Sequence, residues 1–369
     1  MERLGHRPIV LVGGGTGLVG DPSGKTEMRQ LLTLESIRSN VEALRRQLSR
    51  FLRFAEGRAL LLNNADWLVE LRYIEFLRDI GRHFSVNRML TAESYKARLE
   101  TGLNFIEFNY MLLQAFDFYH LAEHHGCFLQ MGGNDQWGNI VAGVDLIRRK
   151  LGKVAYGVTF PLITTSTGAK MGKTAAGAVW LSAKKTTPFD FYQYWVNVED
   201  QDVARFLALY TFLPMDEIEA IQGLEGQELN ACKSILAYEV TALTHGKSEA
   251  LGAFEGAQRI FGRRVIAREF LPSSGIPREA VQPGAMGVPT TRLEAARLAG
   301  GLPLVDLLVA VGLCPSKSAA RRLVEQGGAY VDDVRVSDVE QRLRLEQVTG
   351  EGVLLRAGKK KVHRVQVEG

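Results

Sequence analysis

Short apolar runs that end in glycine or asparagine alternate along this chain with stretches whose apolar residues recur every three or four positions. Ile9–Val12 runs into Gly13, Ala59–Leu62 ends in Asn63-Asn64, and Phe128–Met131 runs into Gly132-Gly133. Each has the length of a buried strand. Between the first two, Leu34, Ile37, Val41, Leu44 and Leu48 share one helical face, with Thr33 placed to cap it. Strands alternating with helices predict an α/β fold with a parallel sheet over residues 1–186. From Pro188 to Phe261 the pattern is helical with little strand signal, which predicts a helical domain at 187–270. Prolines and glycines crowd Leu271–Arg292, so 271–300 reads as a linker and a third unit as 301–369.

Composition narrows the class. With 46% hydrophobic and 23% charged residues, the chain is ordinary globular material. Its apolar runs fall far short of the roughly 20 residues that cross a bilayer, and no signal-peptide core is visible, so the expectation is a cytoplasmic protein without membrane contact. Cys127, Cys232 and Cys314 are too scattered for a zinc pair or a disulfide framework. The net charge of +4 says little, but within 301–369 basic residues bunch at Lys317, Arg321 and Arg322 and again at Arg356, Lys359, Lys360, Lys361 and Arg364. That bunching permits a nucleic-acid surface.

The stretch "GGGTGLVGDPSGKT", Gly13 to Thr26, offers two nucleotide readings and fits neither. Gly15-x-Gly17-x-x-Gly20 matches a dinucleotide fingerprint, but Pro22 would then lie inside a helix at a cost of about 3 kcal/mol. The acidic residue expected about 20 positions on is missing, because Glu35 sits in a helical pattern. A P-loop ending at Gly24-Lys25-Thr26 needs glycine where Val19 stands, and Pro22 has no N–H to offer phosphate. What remains is a glycine turn delivering Asp21, then Lys25 and Arg29 four residues apart, or else a bare tight turn.

Three further strings carry chemistry. In "EFNYMLLQAFDFYHL", Tyr110, Gln114 and Asp117 form one polar stripe on an otherwise apolar helix, which calls for a small polar ligand or a buried network. In "QMGGNDQWGN", Gly133, Asp135 and Gln136 follow a strand, where open α/β sheets bind ligands; Asp135 suits ribose hydroxyls or a helix cap. "KMGKT", Lys170 to Thr174, follows a Ser/Thr/Gly-rich segment and suits either a late-closing polyphosphate clamp or a plain surface loop.

Taken in order, "GGGTGLVGDPSGK", "YMLLQAFDF", "MGGNDQWGNI" and "KMGKT" resemble the bacterial tyrosyl-tRNA synthetase family of class I, the last string being a variant of the KMSKS loop. Residues 302–337 resemble the S-four RNA-binding domain. The resemblance implies a Rossmann-like catalytic domain, a helical domain on the anticodon side and a small α+β RNA-binding domain. It also implies roles. Asp21, Tyr110 and Gln114 would hold the amino group of L-tyrosine, Asp117 would receive its phenol, and Gln136 would orient its carboxylate. Gly133 and Asp135 would bind the ribose of ATP; Lys25, Arg29, Lys170, Lys173 and Thr174 would meet its phosphates. Lys317, Arg321, Arg322, Lys359, Lys360 and Lys361 would face RNA. The implied partners are tyrosine, ATP with Mg2+ as its substrate complex, tRNA(Tyr) and a second copy of the chain in a homodimer, with no protein-bound metal or dinucleotide.

The family's HIGH signature, with a tyrosine that helps bind the substrate ring, lies upstream of the glycine turn. Here Met1 leads directly into "ERLGHRPIVLV", and His6 lacks that motif's spacing. The catalytic domain is therefore expected to be N-terminally incomplete, with an uncovered sheet edge. A non-catalytic tRNA- or RNA-binding protein derived from a synthetase is the alternative expectation.

Overall fold

A computed structural model describes the chain apart from residues 20–32, 56, 93–94, 97–98, 100–101, 175–176, 263, 279–287, 349, 351, 359–360 and 369. Asp21, Lys25, Arg29, Lys359 and Lys360 lie outside the described residues. The chain divides into two compact units, Met1–Thr164 and Thr165–Gly369.

In the first unit, β1 (Ile9–Val12) pairs in parallel with β2 (Leu60–Asn63), in register from Ile9↔Leu60 to Val12↔Asn63. The helix between them, α1 (Leu34–Leu48), starts at Thr33, whose hydroxyl accepts from the Ser36 N–H at 3.2 Å, as its sequence predicts. A short helix α2 (Ala65–Leu68) follows β2. The central element is α3 (Phe105–His125). Asn104 and Glu107 close a reciprocal capping box at its start, and Gly126, in the left-handed conformation at φ 64°, ends it. The second parallel pair is β3 (Leu129–Gly133) with β4 (Tyr156–Phe160), joined by α4 (Trp137–Leu151). The first pair is the parallel βαβ unit expected, and the second adds β4, a strand the sequence reading did not name; among the described residues the pairs form two separate two-stranded sheets.

Burial explains how α3 and α4 hold together. Ala115, Phe118 and Ala122 of α3 pack on Leu146 and Ile147 of α4. A Cβ on Gly143 would come within 2.9 Å of the Phe118 ring, so glycine sets the approach of the two helices. With its apolar faces committed to this contact, α3 turns a different face, and the polar stripe, toward the site.

Near the start of the second unit, the end of the "KMGKT" segment forms β5 (Lys173–Thr174), which pairs antiparallel with β6 (Gly177–Ala178). Helices follow: α5 (Pro188–Val196), α6 (Val203–Tyr210), α7 (Gly226–His245) and α8 (Lys247–Phe261). Among the described residues no helix is long and apolar enough to cross a membrane.

The C-terminal part is a mixed five-stranded sheet in the order β9-β8-β10-β11-β7, where β7 is Thr290–Leu293, β8 Ala329–Val331, β9 Val334–Arg335, β10 Val353–Ala357 and β11 Lys361–Val367. Helices α9 (Leu304–Ala310) and α10 (Lys317–Glu325) cover it through Leu307, Leu308, Ala320 and Val324. Here the boundaries differ from the sequence reading. Thr290–Leu293, read as linker within 271–300, runs parallel to β11 with Leu293 buried, so this folded region begins before residue 301. Proline and glycine density hid a four-residue strand whose β-branched threonines fit a sheet edge. Leu271 and Ile276 are also buried, so the start of that stretch packs against protein.

Candidate active site

The glycine turn after β1 is clasped from the end of β2. The Gly14 N–H donates to Asn63 Oδ1 at 3.1 Å, and the Gly15 N–H donates to Asn64 Oδ1 at 2.7 Å. A Cβ on Gly14 would collide with the Asn63 amide, and one on Gly15 would press on Leu68 at 3.1 Å. These glycines therefore serve close approach within the protein, and their N–H groups are taken up by the protein itself, while Gly20 to Thr26 lie outside the described residues.

Asn64, only 1% exposed, carries the linkage inward. Its Nδ2 donates to Thr16 Oγ1 at 3.0 Å and to Asp117 Oδ2 at 2.8 Å. Trp67 Nε1, one turn along α2, donates to the other oxygen, Asp117 Oδ1, at 2.7 Å. The Trp67 indole stacks on the His120 ring, with centroids 4.2 Å apart and planes within 16°. Asp117 is 2% exposed. Burial pushes its carboxyl from 3.8 up to about 7, against the opposing pull of the Asn64 and Trp67 hydrogen bonds. Asp117 is thus a dry acceptor with each oxygen already oriented by one neutral donor.

A second bridge gathers the amides. Asn139, buried on the first turn of α4, donates through Nδ2 to Gln114 Oε1 at 3.0 Å and to Gln136 Oε1 at 3.1 Å. Gln136 Nε2 in turn reaches Asp135 Oδ2 at 3.2 Å. Gly133 ends β3, where a Cβ would strike the Asp135 carboxylate, so glycine lets that side chain fold back over the strand end. Asp135 lies in a 3-10 turn ahead of α4 and makes no side-chain cap there. Two hydrogen-bonded groups thus start from the α3 stripe: Asp117 is linked through Asn64 and Trp67 to the β1 turn and to α2, and Gln114 through Asn139 to Gln136 and Asp135, with Tyr110 half-buried on the same helix.

Sequence reasoning missed Asn64, Trp67, Asn139 and Thr16. Two signals existed: Asn139 stands one helical turn after Gln136, and Asn64 closes an apolar strand. In the second unit Lys170 is exposed, and Lys173 and Thr174 lie on β5. Lys317 begins α10 and pairs with Asp306 at 2.8 Å, while Arg321, Arg322 and Lys361 are exposed.

The first unit thus holds a buried carboxylate and clustered amides at its strand ends, and the second unit separately carries the lysine-bearing segment. The model for "tRNA synthetases class I (W and Y)" matches residues 1–262, and the chain belongs to that family. The tyrosine branch is indicated by a second match, to the tyrosine--tRNA ligase SYY-like C-terminal domain, at residues 280–365. The tyrosine--tRNA ligase of Desulfosudis oleivorans is 59% identical over all of this chain and 86% of its own length. That of Syntrophus aciditrophicus is 54% identical over the same shares. Among solved structures, a C-terminally truncated mitochondrial tyrosyl-tRNA synthetase from Aspergillus nidulans superposes with a TM-score of 0.61 at 31% identity, covering 70% of this chain and 78% of that one.

Proposed function

We propose that the chain is a tyrosine--tRNA ligase that activates L-tyrosine with ATP and transfers it to tRNA(Tyr). The observation that carries the reading is Asp117: a carboxylate sealed from water, held by Asn64 and Trp67, at the inner end of a polar stripe. A phenol O–H can satisfy it, whereas phenylalanine would bury it without that partner, which costs about 1–3 kcal/mol.

In the reaction, a tyrosine carboxylate oxygen attacks the α-phosphorus of ATP, the bond to the bridging oxygen breaks, and pyrophosphate leaves with its electron pair. A ribose hydroxyl at the tRNA 3′ end then attacks the adenylate carbonyl, loses its proton and expels AMP. Neither step needs a protein nucleophile; alignment and fixed charge suffice. Asp21, Tyr110 and Gln114 hold the amino group, Asp117 the phenol and Gln136 the carboxylate, with Asn139 fixing both glutamines. Gly133 and Asp135 take the ribose. Lys25, Arg29, Lys170, Lys173 and Thr174 meet the phosphates of ATP, which arrives with Mg2+, and Lys173 stabilises the charge of the transition state. Lys317, Arg321, Arg322, Lys359, Lys360 and Lys361 contact tRNA, and the protein works as a cytoplasmic homodimer.

The test is ATP–pyrophosphate exchange with tyrosine and with phenylalanine, followed by tRNA charging. Tyrosine-dependent exchange is the expected result. A folded protein that binds tRNA in a salt-dependent manner but exchanges nothing would overturn the catalytic reading in favour of RNA binding alone.

A further inference from the structure

Besides its own hairpin pairing and the Val179 N–H bond to the Gly172 carbonyl at 2.8 Å, the lysine-bearing segment is tied to the helices of its unit by side-chain bonds of different strength. At its root, the Ser166 N–H and Oγ donate to Asp202 Oδ2 at 2.9 and 3.1 Å, and Asp202, 2% exposed, is also paired with Arg205 at 2.7 Å. That is a buried, charge-assisted fixture. Further along, between the two lysines, a single side chain reaches the backbone: the Gly172 N–H donates to Tyr194 Oη at 3.1 Å, and Tyr194 Oη donates to Met171 Sδ at 3.1 Å. Gly172 sits at φ +79°, so the chain turns at this residue. The Tyr194 ring is held on α5 by an edge contact with Trp195, centroids 5.6 Å apart, and Trp195 packs in turn on Phe206 and Tyr210.

We propose that the Tyr194 hydroxyl is a positioning group that latches Met171–Gly172 in the ATP-free protein and releases them when the segment closes on polyphosphate. The inference rests on the reading of Lys170–Thr174 as a phosphate-binding segment. Its physical basis is the contrast in strength. A neutral N–H···O bond with a thioether as the second partner is weak enough to exchange, while the Asp202 root keeps the segment's origin in place. Burial raises the Tyr194 hydroxyl above its ordinary value, so it remains a donor at neutral pH.

Tyr194→Phe keeps the ring and its packing and removes only the latch. The experiment is limited trypsin digestion of the whole chain, with cuts after Lys170 and Lys173 followed by mass spectrometry, with and without saturating ATP. Without ATP, the variant is expected to be cut about three- to tenfold faster at an unchanged Tm. With ATP, both proteins should be protected to the same slow rate. In pyrophosphate exchange, KM for ATP should fall by about two- to threefold with kcat unchanged, because closure no longer breaks the latch. Equal cutting of the two proteins without ATP overturns the latch. A difference that persists undiminished in ATP, or a fall in kcat, overturns the release. If ATP fails to slow cutting of the unmodified chain, the phosphate-binding reading of the segment fails and the release with it, whereas the comparison without ATP still reports on the tether. Met171→Leu removes the sulfur partner and keeps the Gly172 bond, and should fall between the two.

Discussion

Asp117 and Lys170 are charged groups set in opposite surroundings. Asp117 lies in the first unit at 2% exposure, with each oxygen oriented by a donor on α2 or just before it. Lys170 stands exposed in the second unit, two residues from a glycine held by one phenol. The proposed function accounts for the difference. A group that discriminates between phenol and plain ring acts through the cost of being left unpaired, so it must be dry and fixed before the ligand arrives. A group that meets charge developing during the reaction gains nothing from early burial, and desolvating it without a partner would destabilise the fold.

The comparison is broken most directly at Asp117. Asp117→Ala takes the acceptor from the Trp67 N–H and from one of the two N–H bonds of Asn64 in a buried site, and removes the phenol acceptor. The expected loss in kcat/KM for tyrosine is about 100-fold or more, accompanied by a lower Tm. Exchange kinetics beside a thermal melt check both; an unchanged Tm would show that the network around Asp117 is solvated. Lys173→Ala is the counterpart in the second unit. Its expected cost is also large, about 50- to 100-fold in kcat, but Tm should stay where it is. A lysine variant that melted early would contradict the division of labour.

Parts of this arrangement were legible in the chain and parts were not, for a physical reason. Tyr110, Gln114 and Asp117 repeat at helical spacing within eight residues, so their shared stripe is a local fact. Asn64 and Trp67 lie 53 and 50 residues before the carboxylate they hold, and Asn139 lies 25 after its glutamine partner. Those partnerships exist only once β2 has been placed beside β1 and α3 has packed on α4, and no periodicity encodes them. The Thr290–Leu293 strand was obscured similarly, because its pairing partner is more than 70 residues away and its neighbours are prolines and glycines. Asp21, Lys25 and Arg29 rest on resemblance alone, since they lie outside the described residues.

Asn139 tests whether that long-range wiring matters. Asn139→Ala removes the donor shared by Gln114 and Gln136, at a cost of about 1–1.5 kcal/mol. KM for tyrosine should rise about tenfold with a smaller change in kcat, since the glutamines lose their shared donor but are present. A variant with unaltered KM would mean that the two glutamines are positioned independently of each other.

The smallest effect comes from pH, and its sign separates binding from stability. The folded Asp117 titrates at about 7 against 3.8 when exposed, raised chiefly by burial. Between these values only the folded chain holds the proton, so the contribution to stability is full below about pH 4 and is lost as pH rises through 7. Binding runs the other way. A phenol O–H donates more strongly to a carboxylate than to a neutral acid, so tyrosine favours the ionised form and lowers its titration point. KM for tyrosine should therefore fall about three- to fivefold from pH 6 to pH 8, while the Tm of the tyrosine-free protein declines over the same interval. Asp117→Asn should flatten both trends. If KM for tyrosine rose, or stayed flat, over the interval in which Tm declines in the unmodified protein, the carboxylate would not be the group that tyrosine meets.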